Sequence, residues 1–98
     1  MFGLFLENGP LRAEVTGPGL DDRKISPAKN AWTDDYHVVF VDQPVNTGFS
    51  FGDTTLTSEQ VGSDEFLKFL QLFFAKYPEF KTSDFHLTGE SYAGKYLP

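Results

Sequence analysis

The residues with the clearest capacity for chemistry form the run Gly89-Glu90-Ser91-Tyr92-Ala93-Gly94. A serine set among small residues, where a strand passes sharply into a helix, sits on a strained backbone with its hydroxyl projecting from the turn. That presentation suits nucleophilic attack on an acyl carbon. Small neighbours are required because strand and helix approach closely there, and Gly89 and Ala93 meet the requirement. The common pattern G-x-S-x-G places glycine two residues after the serine, whereas this chain has Ala93 there and Gly94 next. Alone, the hexapeptide also fits a small-residue turn with an incidental serine, so the surrounding elements must decide.

Those elements read as an α/β arrangement. Val38, Val39, Phe40 and Val41 follow His37 as a continuous β-favouring run, closed by Asp42-Gln43-Pro44. A run without alternation fits a strand buried on both faces of a parallel sheet. Residues 43–57 are rich in Gly, Thr and Asn, and loops of about that length are often functional. Thr57-Ser58-Glu59-Gln60 resembles a capping box, with Thr57 offering its hydroxyl and Gln60 reaching back. Phe66, Phe69, Leu70, Phe73, Phe74 and Tyr77 then recur at helical spacing until Pro78 ends the helix. Residues 84–88 form a short strand that leads into the serine turn. Strand, helix and strand make a βαβ unit, expected to be right-handed. Upstream, residues 1–6 predict a short helix stopped by Asn8-Gly9-Pro10, and Leu11, Ala13 and Val15 alternate as a half-buried strand. Residues 17–30, with two Pro and the charged run Asp21 to Lys24, read as loop.

Composition narrows the function. The net charge is −6, from 8 basic and 14 acidic residues, and the basic ones form no stripe. That excludes an electrostatic nucleic-acid surface. With no cysteine there is neither a disulfide framework nor a thiolate metal site, and no cofactor is expected. No apolar run approaches the length of about 20 residues that spans a bilayer. The apolar start, residues 1–6, lacks a basic region and a small-residue cleavage site, so it is not read as a signal peptide. Eleven Phe in 98 residues suggest a core built for more covering layers than this segment supplies.

With these residues in view, the sequence resembles the serine carboxypeptidase family, peptidases of α/β-hydrolase fold that remove C-terminal residues from peptides. The resemblance rests on four stretches in the family's order: residues 2–10 (FGLFLENGP), 41–50 (VDQPVNTGFS), 74–80 (FAKYPEF) and 84–94 (DFHLTGESYAG). The opening MFGLF and the closing GESYAGKYLP look most like the vitellogenic-like branch. The implied fold is the N-terminal part of an α/β-hydrolase, a βαβ unit with a nucleophile elbow in an incomplete sheet, spanning residues 1–98.

The resemblance implies roles residue by residue. Ser91 matches the nucleophile that forms the acyl-enzyme, and the backbone N–H of Tyr92 matches one oxyanion donor. Glu7 and Glu90 match the glutamates that bind the free carboxylate of a peptide. Two carboxyl groups held close together cannot both ionise cheaply, so one keeps its proton and can donate to that carboxylate. Binding is therefore expected to favour acid. Phe2 and Leu6 match positions near the pocket for the departing residue, while Trp32 and the helix Phe residues read as packing. The partner is the C-terminus of a peptide or protein, with no nucleic acid or membrane, in a secreted, lysosomal or vacuolar setting. Neither His37 nor His86 fits the base, because in this fold acid and histidine follow the serine in chain order. The triad Asp and His loops are expected after residue 98, and the glycine-rich oxyanion segment before residue 1. The 98-residue chain alone is accordingly expected to form no acyl-enzyme and to be aggregation-prone. A non-catalytic peptide-binding or degenerate homologue is a competing reading, as is another serine hydrolase such as an esterase. The two acids argue against the esterase, which has no use for them beside its nucleophile.

Overall fold

The computed structural model describes residues 2–19, 21–53 and 58–97. It divides into two compact units, Met1–Asp42 and Gln43–Pro98.

The first unit opens with helix α1, Phe2–Leu6, where the apolar start predicts a helix. The chain turns at Asn8-Gly9-Pro10, and Gly9 N–H donates to the Gly3 carbonyl at 2.8 Å. A Cβ at Gly9 would fall within 3.0 Å of the Leu4 backbone, so the stop signal is also a steric requirement for glycine. Strand β1, Leu11–Val15, forms where a strand is expected, but its exposure does not alternate: Leu11, Arg12 and Ala13 are half-buried, while Glu14 and Val15 are exposed.

The expected loop over residues 17–30 contains a second strand instead. Strand β2, Arg23–Pro27, pairs antiparallel with β1, with Leu11 opposite Pro27 and Ala13 opposite Ile25. The turn is fastened by Asp22: Gly19 N–H donates to Asp22 Oδ2 at 2.8 Å, and Thr16 N–H donates to the Asp22 carbonyl at 2.7 Å. The strand escapes a periodicity reading because Ile25 is its sole large apolar residue and Pro27 closes it. Both features are tolerated in a two-stranded edge. The hairpin is joined to the α1 turn by Ala28 N–H donating to the Pro10 carbonyl, 2.8 Å, and Trp32 N–H donating to the Asn8 carbonyl, 2.9 Å. Ala31, just before a 3₁₀ turn at Trp32–Asp34, is the buried apolar residue among those described.

Residues 37–41 form no ladder among the described residues, where a buried parallel strand was expected. Val38 and Phe40 are half-buried, with the Phe40 ring against Gly3, while Val39 and Val41 are exposed. One face of the run is covered and the other is not. A strand is completed by a ladder to a neighbouring strand, and the ladder among the described residues joins β1 and β2 only. The same holds for residues 84–88 in the second unit, where Phe85 and Leu87 remain exposed. The helix of the expected βαβ unit is present; among the described residues its flanking ladder is not.

That helix, α2, runs Glu59–Lys76. Its cap is Ser58, whose Oγ accepts the Val61 N–H at 3.3 Å. The cap therefore sits one residue later than the sequence suggests, and with Val61 at the third helical position it is a single cap and not a reciprocal capping box. Thr57 lies outside the described residues, and Gln60 donates forward to Asp64 Oδ1, 3.0 Å, rather than back to the cap. Glu59 in the first turn and Lys76 in the last complement the helix dipole. The predicted Phe stripe forms an aromatic row. Phe73 is its hub, with ring centroids 6.1 Å from Phe69, 5.4 Å from Phe74, 5.1 Å from Tyr77 and 6.2 Å from Phe80. Pro78 ends α2 and starts a 3₁₀ turn, Pro78–Thr82, which carries Phe80 back onto the row. Phe74 continues it edge-on to Phe85 at 5.2 Å. No helix among the described residues is long and apolar enough to cross a membrane.

Candidate active site

The serine turn lies in the second unit, ahead of the short helix α3, Ala93–Tyr96. Ser91 has φ 57°, in the left-handed region that a non-glycine residue enters only under constraint. The turn closes through backbone bonds. Ala93 N–H donates to the Glu90 carbonyl at 3.1 Å, Gly94 N–H to Ser91 at 3.1 Å, and Lys95 N–H to Tyr92 at 2.9 Å. None of these bonds uses the N–H of Tyr92.

The close approach expected of Gly89 and Ala93 is measurable. A Cβ placed on Gly89 would lie within 3.0 Å of the Ala93 Cβ and 3.1 Å from Leu97 Cδ1. The departure from G-x-S-x-G is readable in the same geometry, since Ala93 turns its methyl toward the space that Gly89 leaves empty. Gly94 meets nothing within 4 Å, so its lack of a side chain is not required by packing. Ser91, Glu90 and Tyr92 are all exposed.

Tyr92 is held through its ring and its hydroxyl. The ring lies edge-on to Tyr96 at 5.4 Å, and the hydroxyl donates to Glu59 Oε1 at 2.6 Å. That hydrogen bond first, and the negative charge of the same carboxylate second, raise the Tyr92 phenol above its ordinary range. An anionic acceptor favours the protonated phenol. Sequence reasoning missed Glu59 as a site residue, because an acid in a first helical turn already has a sufficient explanation in the helix dipole.

The remaining predicted residues fall in the first unit. Glu7 follows α1 and is exposed, and its backbone carbonyl accepts from Arg12 Nη2 at 3.1 Å. Leu6 ends α1 and is 47% exposed; Phe2 begins it, and its side chain lies outside the described residues. His37 and His86 are exposed. Three groups thus come together around one turn, Glu90, Ser91 and Tyr92, with Glu59 as a fourth. Glu7 belongs to the other unit. Among the described residues no three His, Asp or Glu side chains gather as a metal site would need.

A family model described as serine carboxypeptidase matches residues 1–98, and the chain belongs to that family, one of α/β-hydrolase fold. Among its relatives is a carboxypeptidase Y homologue of Arthroderma benhamiae, 41% identical over 98 residues, an alignment covering 100% of this chain and 19% of the relative. The carboxypeptidase Y of Schizosaccharomyces pombe is 41% identical over 98 residues, covering 98% of this chain and 9% of the relative. That of Komagataella phaffii is 37% identical over 103 residues, covering 97% and 20%. The chain therefore spans a fifth or less of the length of these curated relatives.

Proposed function

We propose that residues 1–98 are the nucleophile-bearing segment of a serine-type carboxypeptidase that hydrolyses C-terminal residues from peptides. The observation that carries this reading is the left-handed, exposed Ser91 in a closed turn within a chain of this family. Ser91 Oγ attacks the scissile carbonyl and its proton passes to a general base. The C–N bond then breaks, and the departing amine takes that proton. Water hydrolyses the acyl ester and restores the serine hydroxyl. The Tyr92 N–H stabilises the oxyanion. The base, its orienting carboxylate and a second oxyanion donor come from sequence outside residues 1–98, a view supported by the small share of each relative that the chain spans.

By the family resemblance, Glu7 and Glu90 are each assigned to recognition of the peptide's free carboxylate, where a carboxyl that keeps its proton donates to it instead of repelling it. Phe2 and Leu6 are assigned to the pocket for the departing residue by the same resemblance. The substrate is a peptide or protein C-terminus, and the compartment is that of the family: secreted, lysosomal or vacuolar.

The test is labelling of full-length protein with a fluorophosphonate, together with release of the C-terminal residue from an N-blocked dipeptide. Wild type is labelled once, and Ser91→Ala abolishes both labelling and release. Substituting Gln for Glu7 or Glu90 raises KM for free-acid substrates far more than for the matching amides. Labelling that survives in Ser91→Ala, or equal effects on acids and amides, refutes the corresponding assignment.

A further inference from the structure

The Glu59–Tyr92 hydrogen bond joins residues 33 positions apart, and it reaches the serine turn from the head of α2. An exposed tyrosine ordinarily gives its hydroxyl to water, and Tyr92 is 55% exposed. Here the donor instead meets a carboxylate at 2.6 Å, a charge-assisted bond of the short class. The acceptor is well founded. Glu59 directly follows the cap residue Ser58, so its backbone is fixed by the helix start rather than by a loop. The Tyr92 ring also lies edge-on to Tyr96, so ring and hydroxyl each have a contact.

This matters because of what Tyr92 adjoins. A left-handed φ at a serine persists only where the surroundings over-determine it. The backbone bonds of the turn fix one side of Ser91, and the tethered side chain fixes the residue that follows it.

We propose that Glu59 is a positioning residue for the nucleophile turn, its carboxylate anchoring the Tyr92 hydroxyl so that Ser91 and the Tyr92 N–H keep their reactive placement. The proposal rests on the reading of Ser91 as nucleophile and adds a residue that the elbow motif does not contain.

The experiment is pre-steady-state acylation by an activated ester in full-length protein, comparing Glu59→Ala, Glu59→Gln, Tyr92→Phe and the double variant Glu59→Ala/Tyr92→Phe. Loss of one such hydrogen bond predicts about a three- to tenfold slower acylation in Glu59→Ala and in Tyr92→Phe, with KM little changed. The double variant should be no slower than either single one, because both remove the same bond. Glu59→Gln, whose amide oxygen still accepts, recovers most of the lost rate and guards against a folding artefact. Multiplying effects in the double variant, or an unchanged rate in Glu59→Ala, overturn the proposal. Retained acylation in Ser91→Ala would instead overturn the nucleophile reading, whatever Glu59 does.

Discussion

Gly89 is the position where one added methyl group tests the geometry of the serine turn directly. In Gly89→Ala the new Cβ lies within 3.0 Å of the Ala93 Cβ, whereas ordinary carbon contacts sit at about 3.5–4.0 Å. Ala93 cannot rotate its methyl away, because the Cβ is fixed to the backbone of α3. Leu97, at 3.1 Å, can turn aside. The residue before the turn and the helix after it must therefore separate by at least about half an ångström. Overpacking of this kind costs about 1–3 kcal/mol. A misplacement of about 1 Å at a reacting group costs about a hundredfold in rate. Gly89→Ala in full-length protein is thus expected to slow acylation by an activated ester about ten- to a hundredfold. Adding Ala93→Gly removes the opposing methyl and should restore most of the rate. A folded Gly89→Ala protein, judged by near-ultraviolet circular dichroism, that reacts at the wild-type rate refutes the steric reasoning. So does a folded double variant that remains slow.

Two further outcomes follow from the second unit. Ser58→Ala removes the side chain that accepts the Val61 N–H and should destabilise the protein by about 1 kcal/mol in denaturant titration, while Ser58→Asp should not. An unchanged midpoint in Ser58→Ala contradicts the assigned cap. In alkali, the raised Tyr92 phenol predicts that the folded state holds its proton where the unfolded chain has lost it. The stability from this contact is complete below the ordinary phenol value, about 10, and disappears as pH rises through the raised one. A tyrosinate absorbance titration, with Tyr92→Phe to isolate the group, should show the phenol ionising at lower pH in Glu59→Gln; an unmoved curve contradicts the tether.

What the sequence made legible was local. The Phe stripe predicts α2 because its spacing is a property of one helix face, and Pro78 ends it for a reason contained in one ring. The serine turn is equally local, since a few consecutive residues and their small neighbours define it. Strand β2 was hidden for the opposite reason. Its charged, proline-closed sequence becomes a strand only through pairing with β1, and the Asp22 turn that permits the pairing leaves no apolar trace. The runs at residues 37–41 and 84–88 show the converse. Strong β composition gives no ladder among the described residues, because a strand is completed by its neighbour and not by its own propensity.

The same distinction separates the parts of the candidate site. Gly89, Ser91 and Ala93 are readable together because adjacent residues dictate a left-handed turn and the closeness it demands. Glu59 is not readable with them: no spacing rule links an acid at a helix start to a tyrosine 33 residues onward, and only folding brings their oxygens to 2.6 Å. A motif can specify that a serine is strained, but it cannot specify everything that holds it so. The strain at Ser91 has to be balanced by contacts outside the hexapeptide. The tether from the head of α2 reaches the residue directly after the serine from an element distant in sequence, so substitutions at Glu59 separate the turn as a local motif from the turn as a supported site.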